Sequence, residues 1–521
     1  MRSFLSYKPG HDGAVAHILD GRLDFAIEAE KDSFLRHDWI GPEQYVDTLA
    51  RLDDVPDVVC VSGWSKGFND FSWSVGAGYF GTEPEGIITR PTRMMGRDLA
   101  YFSSSHERSH IWAAYALSPF EQGQPCYCLT WEGMIGRFYH IDAGLNVTAL
   151  PEVLSHPGYR YAFVYALADP TFADTERYPR LNDAGKLMAL AAFYDGSALS
   201  AEDAALIETL LSARDVEAEL KKSRFADNGH YNVGVRDQGF MNFAWHFSQA
   251  LFGRFQGFAR DNLKRGLPLL ISGGCGLNCD WNAAWRASGL FSDVFVPPCA
   301  NDTGSALGTA VDAMRHHTGR AKLEWSVYAG QAFEDDIESA EGVSITPFEA
   351  THLAQLLQAG KVIGHATGRA EMGPRALGNR TILASPLLAE SLTRLNTIKR
   401  RESYRPIAPI VAEGFAPKVF SPGLPSPHML YFDRLRTDAL PAITHVDGSA
   451  RIQTVNPAQN ARIYEILTAF EAETGYAVLC NTSLNFLGRG FINKTSDLLR
   501  YAQEFSLDGF VADDRLFLLD R

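Results

Sequence analysis

Two histidines stand four residues apart in His106-Glu107-Arg108-Ser109-His110, behind serines at 103–105 that suit a helix cap and ahead of Ile111-Trp112-Ala113-Ala114. On a helix that spacing turns both imidazoles to one face, as a metal ion requires of a ligand pair. The segment also reads as His-Glu-x-x-His, the zinc-peptidase helix. The longer extension of one peptidase class is missing, because Ala113 and Ala116 stand where glycine and histidine belong. Glu132 is a conceivable third ligand of the other class, although it follows a strand rather than lying on a second helix. The plain alternative is two packed histidines with no metal.

A second chemical set lies further on. Gly368-Arg369-Ala370-Glu371-Met372-Gly373-Pro374-Arg375-Ala376-Leu377-Gly378-Asn379-Arg380 alternates glycines with arginines in an expected loop, and Lys399-Arg400-Arg401-Glu402-Ser403-Tyr404-Arg405-Pro406 follows it. Guanidinium groups grip phosphate bidentately and keep their charge, which is the chemistry of a polyphosphate or carbamoyl phosphate pocket. Residues 445–451 and Asn481-Thr482-Ser483-Leu484-Asn485 add small polar groups, the latter after an expected strand at 477–480. Such groups at a strand's carboxyl end commonly line a ligand crevice. A solvated charged face is the alternative for the basic run.

Charge is divided along the chain. The net −14 hides +2 over residues 346–521, from 19 Lys/Arg and 17 Asp/Glu, and so −16 over 1–345. Residues 369–405 alone hold eight basic side chains against three acidic ones. A basic cluster in an acidic protein is a candidate anion pocket, while the acidic total argues against nucleic acid and polybasic membrane binding. No stretch approaches the ~20 apolar residues that cross a bilayer, and the short start, Met1 to Tyr7, does not form a signal peptide. Seven cysteines with no Cys-x-x-Cys pair fit a reduced, cytoplasmic protein without a zinc knuckle.

The elements that must position these groups are legible in outline. A strand at 3–7 leads into Lys8-Pro9-Gly10-His11-Asp12-Gly13, and a hairpin follows that turns at Asp20-Gly21. The plan recurs near 126: a strand, then Trp131-Glu132-Gly133, then another hairpin with its turn at 142–144. This diverged duplication suits the ASKHA architecture (actin, sugar kinase, heat-shock ATPase), two ribonuclease-H-like halves gripping a nucleotide between glycine loops. The stretch to about 265 reads as helical, most clearly at 184–220. Apolar Leu269-Leu270-Ile271 then enters Ser272-Gly273-Gly274-Cys275-Gly276-Leu277-Asn278, a glycine turn into a helix whose N–H groups favour anions. A second such turn ends in Asn301-Asp302-Thr303-Gly304. A boundary is expected near 325–350, with a new helical run from about 347.

In this order, the anchors Gly10-His11-Asp12, the His106/His110 helix, residues 185–191, the turn at 273–278, Asn301 to Gly304, 371–380, 399–406, 445–451 and 481–485 resemble the O-carbamoyltransferases of secondary metabolism and nodulation-factor tailoring. The resemblance spans nearly the whole chain. It implies an α/β protein with an N-terminal ASKHA domain over 1–345 and a C-terminal YrdC-like domain over 346–521. The second domain would make carbamoyl adenylate from carbamoyl phosphate and magnesium-bound ATP. The first would hold that adenylate with iron(II) or another divalent metal and pass the carbamoyl group to a small-molecule hydroxyl.

Carried over, His106, His110 and Asp302 ligate the metal, with Glu132 where the family usually has an aspartate. His11 and Asp12 serve the acceptor hydroxyl as base and orienter, and Gly273, Gly274 and Asn278 lie near the adenosine. Lys399, Arg405 and Arg451 bind phosphates with Arg375 close by, and Ser483 and Asn485 line the same pocket. The opening motif and the length look most like the cephem-modifying members; macrolide, polyketide and sugar hydroxyls stay open as acceptors. The acceptor pocket is expected in variable loops such as 62–82, and the oligomeric state stays open, a homodimer included. The competing readings are an ASKHA-type small-molecule kinase, a metallopeptidase and a non-catalytic nucleotide-binding scaffold.

Overall fold

The computed structural model describes residues 2–65, 74–486 and 490–520. Residues 66–73 of the expected acceptor stretch therefore lie outside the described residues. Apolar-rich segments at the start form strands Ser3–Lys8, Ala14–Leu19 and Arg22–Glu28, consecutive antiparallel neighbours. Asp20 and Gly21 both take positive φ in the tight turn, as a type I′ hairpin demands. Val58–Val61 lies parallel to the first strand, Arg97–Ser103 parallel to Val58–Val61, and Ile88–Met94 closes that edge.

The second sheet repeats the plan. Cys126–Trp131, Gly136–Ile141 and Val147–Glu152 are antiparallel, Leu269–Ser272 runs parallel to the first of them, and Val294–Phe295 follows parallel again. In both sheets the first four strands stand in the order third, second, first, fourth, the duplicated ribonuclease-H-like arrangement of an ASKHA domain; the fifth place is taken in the first sheet by Arg97–Ser103 and in the second by Val294–Phe295. Helices His106–Leu117 and Ser305–Thr318 pack on each other and on both sheets. Phe4, Val58, Phe102, Trp112, Leu270, Val311 and Met314 fill the space between.

The two helices approach most closely at Gly308, where a Cβ would lie 1.8 Å from the Ser109 carbonyl oxygen. Gly308→Ala is expected to push them apart and to destabilise the protein by about 1–3 kcal/mol. The check is the urea midpoint; a variant as stable as the wild type would mean that the helix pair gives way freely.

The expected helical stretch forms Asp183–Ala191, Ala201–Ser212, Val216–Glu219 and the long Gln238–Asn262, whose Phe240, Phe243, Phe247 and Phe255 join Trp131, Trp281 and Trp285 in one aromatic core. A ten-stranded mixed sheet then runs from Val343–Pro347 at one edge to Phe420–Ser421 at the other. The expected cut between 345 and 346 falls inside its first strand, which pairs with Arg515–Leu519, and the helix expected from about 347 starts at Ala350. The strand expected over 477–480 is Val478–Ser483, because Thr482 and Ser483 keep pairing with Ile382 and Thr381. Arg380, expected in a loop, opens the strand Arg380–Ala384.

The connecting segment binds the two bodies together. Glu324 and Ala329 accept backbone bonds from Leu23 and Ala26, and Gly330 N–H donates to Ala370. Across the seam, Asn282 Nδ2 donates to the Leu430 carbonyl at 2.9 Å and the Tyr431 hydroxyl to the Val294 carbonyl at 2.8 Å. Among the described residues no helix is long and apolar enough to cross a membrane, and all seven cysteines are free thiols.

Candidate active site

The cap serine expected before the histidine helix is Ser105, whose Oγ accepts the Arg108 N–H at 3.1 Å. His106 and His110 then face one another with their Nε2 atoms 3.1 Å apart. Asp302, in the short turn Asp302–Gly304 that leads into the partner helix, brings Oδ1 to 3.6 Å from His106 Nε2 and 3.4 Å from His110 Nε2. The remaining ring nitrogens are engaged from behind, His110 Nδ1 with Ser272 Oγ at 3.0 Å and His106 Nδ1 with Ser305 Oγ at 3.5 Å. Burial pushes the His106 imidazole well below its ordinary pKa, so the ring is neutral. Burial opposes the charge on Asp302, yet His106, Lys8 and His110 facing it hold its carboxyl well below the usual range. Two imidazole nitrogens and a carboxylate converging on one point fit a first-row divalent cation.

Glu132 faces this group without joining it. The converging atoms, all within 4.8 Å of one another, belong to His106, His110 and Asp302. The Glu132 carboxylate accepts from the Tyr79 hydroxyl at 3.2 Å and from the Ile135 N–H at 2.8 Å, and burial followed by Asp302 pushes its carboxyl up.

Glu107, the would-be peptidase base, turns away from the pair. It accepts the Gly81 N–H at 2.7 Å and the Tyr139 hydroxyl at 2.5 Å, so the helix lacks the carboxylate that a peptidase would need over its metal. The metallopeptidase alternative fails on that geometry.

His11 and Asp12 sit at the mouth of this cluster. His11 Nδ1 is 2.8 Å from Asp12 Oδ2 and 3.9 Å from Asp302 Oδ2, and the ring lies edge-on to Trp64. Sequence reasoning passed over Lys8 as an actor. Its ammonium is fully buried, 3.8 Å above the Trp64 ring and 3.4 Å from Asp302 Oδ2. The strand expected over 3–7 runs one residue further, to Lys8, which turns that side chain into the interior.

The glycine turn lies against the second hairpin loop. Gly273 has φ +96°, and a Cβ there would come 2.4 Å from the Trp131 carbonyl oxygen. Gly274 faces open space. Asn278 caps the helix Cys279–Ala287 through Oδ1, and its Nδ2 has no hydrogen-bond partner among the described residues.

Arg375 reaches this turn from the other domain, donating Nη2 to the Leu277 carbonyl at 3.1 Å. Burial, followed by Arg451, pushes its guanidinium down to about 9. The Nε–H groups of Arg375 and Arg451 are buried without a partner among the described residues, a pair of donors placed for an anion. Arg401, Arg405 and Arg451 line one cavity with Asp280, His445, Asp447 and Ser449. Lys399 Nζ donates to the Ser483 carbonyl at 2.7 Å and to the Asn485 side chain, and burial followed by Arg401 and Arg405 pushes its pKa well down.

The rest of the arginine-rich loop is structural. Glu371 accepts the N–H groups of Leu377, Asn379 and Arg380, and Arg380 is fully buried with its guanidinium on the carbonyls of Thr367, Gly368 and Asn379. The structure thus brings His106, His110, Asp302, His11 and Asp12 to one pocket. It brings Arg375 and Arg451 to a second place, beside Leu277 and Cys279.

The chain joins two ribonuclease-H-like sheets, which carry the convergent His106, His110 and Asp302, to a ten-stranded body with buried arginines. Its parts match the family models described as carbamoyltransferase N-terminus, over residues 85–311, and carbamoyltransferase C-terminus, over residues 354–518. The chain is 46% identical over 513 residues, 98% of each protein, to 3'-hydroxymethylcephem-O-carbamoyltransferase of Amycolatopsis lactamdurans. It is 36% identical to nodulation protein U of Rhizobium tropici over 92% of this chain and 90% of that one. Among solved structures, the activator of the 2-hydroxyisocaproyl-CoA dehydratase from Clostridium difficile with bound ADPNP is similar over 61% of this chain and 96% of its own, at 11% identity and a TM-score of 0.34. The chain belongs to the carbamoyltransferase family.

Proposed function

We propose that this carbamoyltransferase uses ATP and carbamoyl phosphate to carbamoylate the hydroxymethyl group of a cephem, in two steps on two sites within the reducing cytoplasm. The observation that carries the acceptor is the 98% coverage at 46% identity to a cephem O-carbamoyltransferase. The two-site reading rests on the convergent His106–His110–Asp302 group and on the unpartnered donors of Arg375 and Arg451.

In the first step Lys399, Arg405 and Arg451, with Arg375 beside them, hold the phosphates of carbamoyl phosphate and ATP while water cleaves carbamoyl phosphate to carbamate and inorganic phosphate, and a carbamate oxygen then bonds to the α-phosphorus of ATP as pyrophosphate leaves. Ser483 and Asn485 position Lys399. The residues from 346 on form the YrdC-like part, with the first strand of their sheet reaching back to Val343.

In the second step Gly273, Gly274 and the free Nδ2 of Asn278 receive the adenosine. His106, His110 and Asp302 would hold iron(II) or another divalent ion, which when bound takes up charge on the adenylate phosphate. Asp12 accepts the His11 Nδ1–H and so leaves Nε2 to take the acceptor's proton. As the acceptor oxygen bonds to the carbamoyl carbon, the carbon–oxygen bond to the phosphate breaks and AMP leaves with that electron pair. Because the adenylate hydrolyses readily, making and using it within one protein keeps water from it.

The test is mass spectrometry of a 3-hydroxymethylcephem incubated with the enzyme, ATP, carbamoyl phosphate and ferrous iron. A mass gain of one carbamoyl, with one pyrophosphate released, is expected. Phosphorylated acceptor would instead make the chain a kinase.

A further inference from the structure

Asp12 serves two histidines. Its Oδ2 meets His11 Nδ1, and its Oδ1 lies 2.8 Å from Nδ1 of His37, a residue 25 positions along the chain. His37 is fixed on every side. Its backbone N–H donates to Glu30 Oε2 at 2.9 Å, its carbonyl accepts the Asp12 N–H, and its Nε2 lies 3.3 Å from Asn182 Oδ1. Asn182 immediately precedes the helix Asp183–Ala191, and the same Oδ1 accepts Arg36 Nε–H at 3.3 Å.

Donor and acceptor logic settles the ring's protons. An arginine nitrogen only donates, so the Asn182 atom between Arg36 and His37 is its oxygen. His37 Nε2 must then bring a proton to it. The carboxylate on the other side takes a second proton from Nδ1. A ring donating from both nitrogens is an imidazolium. Burial opposes that charge, but the hydrogen bond to Asp12 outweighs it and raises the His37 pKa. Asp12 and His37 also both adopt left-handed backbone, at φ 53° and 57°, unusual for side chains of their size. Paired left-handed residues held by mutual hydrogen bonds mark a geometry that the surroundings enforce.

We propose that His37 is a positioning residue for carbamoyl transfer, its two ring N–H groups clamping Asp12 against Asn182 so that Asp12 fixes His11 Nδ1–H and keeps His11 Nε2 open to the acceptor's proton. This rests on the transfer reading above. The orienting carboxylate of a Ser-His-Asp triad does the same for its histidine, and here that carboxylate is itself held by a cation.

Two measurements test it. In the resting wild-type enzyme without substrate, 15N-histidine NMR should show His37 protonated at both nitrogens and His11 as the Nδ1–H tautomer. A His37 ring with one proton overturns the inference whatever reaction the enzyme performs. In the second, preformed carbamoyl adenylate is supplied to wild type and to His37→Gln. The variant should lose about 10–100-fold in kcat, with the acceptor KM within about threefold, as outer partners of a reacting group do. Pyrophosphate release should be unchanged, which reports an intact fold and first site. A kcat equal to wild type overturns the inference. Absence of transfer in the wild type itself would instead sink the proposed reaction, and the NMR result would still decide the clamp.

Discussion

Lys399→Ala and Arg451→Ala each abolish pyrophosphate release from ATP and carbamoyl phosphate, and preformed carbamoyl adenylate restores acceptor carbamoylation in both. That is the result expected from where these cations stand. Lys399 is held by the Ser483 carbonyl and the Asn485 side chain in a site crowded by Arg401 and Arg405, a concentration of like charge that costs stability unless an anion joins it. Arg451 sits on the strand Ser449–Val455 with its buried Nε–H unpartnered among the described residues. Removing one preorganised donor from a developing phosphate charge slows such steps by about 10²–10³-fold. Loss of repulsion among the remaining cations should leave stability unchanged or higher, so a fall in rate with an unmoved thermal midpoint separates binding from folding. Failure of the preformed adenylate to rescue, with its binding intact, would end the assignment of two separable sites.

Local periodicity made much of this legible. A repeated plan of strand, acidic residue, glycine and hairpin exposed the duplication, and a four-residue spacing set His106 and His110 on one face. The same helical period places Glu107 about 100° around the axis from His106, toward Gly81 and Tyr139, so a linear match to a peptidase motif carried no three-dimensional content. Counting charges marked the arginine-rich region but weighed all arginines alike. Arg369 and Arg380 are committed to backbone carbonyls, whereas Arg375 and Arg451 keep open donors, and only packing distinguishes the two kinds. His37 stayed hidden for a related reason. Its partners Asp12 and Asn182 are 25 and 145 residues away, and no local pattern encodes a pairing that strand order and a left-handed loop create.

The second large effect concerns the histidine pair. His110→Ala is expected to lose bound metal and carbamoyl transfer together while still releasing pyrophosphate. The pair is built into rigid parts: His106 and His110 belong to a wholly buried helix, and Asp302 precedes the helix packed against it. Their Nδ1 atoms are engaged by Ser305 and Ser272, so the Nε2 lone pairs point inward with little freedom left to lose on binding. In the His110→Ala protein, one imidazole and one carboxylate remain against Lys8, whose ammonium already lies 3.4 Å from Asp302. That ammonium then satisfies the carboxylate without a metal. The fold should survive, because a smaller apolar side chain replaces the imidazole and Lys8 still faces Asp302. Metal content by elemental analysis, pyrophosphate release and transfer from preformed adenylate are measured side by side. Full metal retention in His110→Ala would move the centre elsewhere. Loss of pyrophosphate release along with the metal would show that one ion serves both steps, against the separation that the two pockets imply.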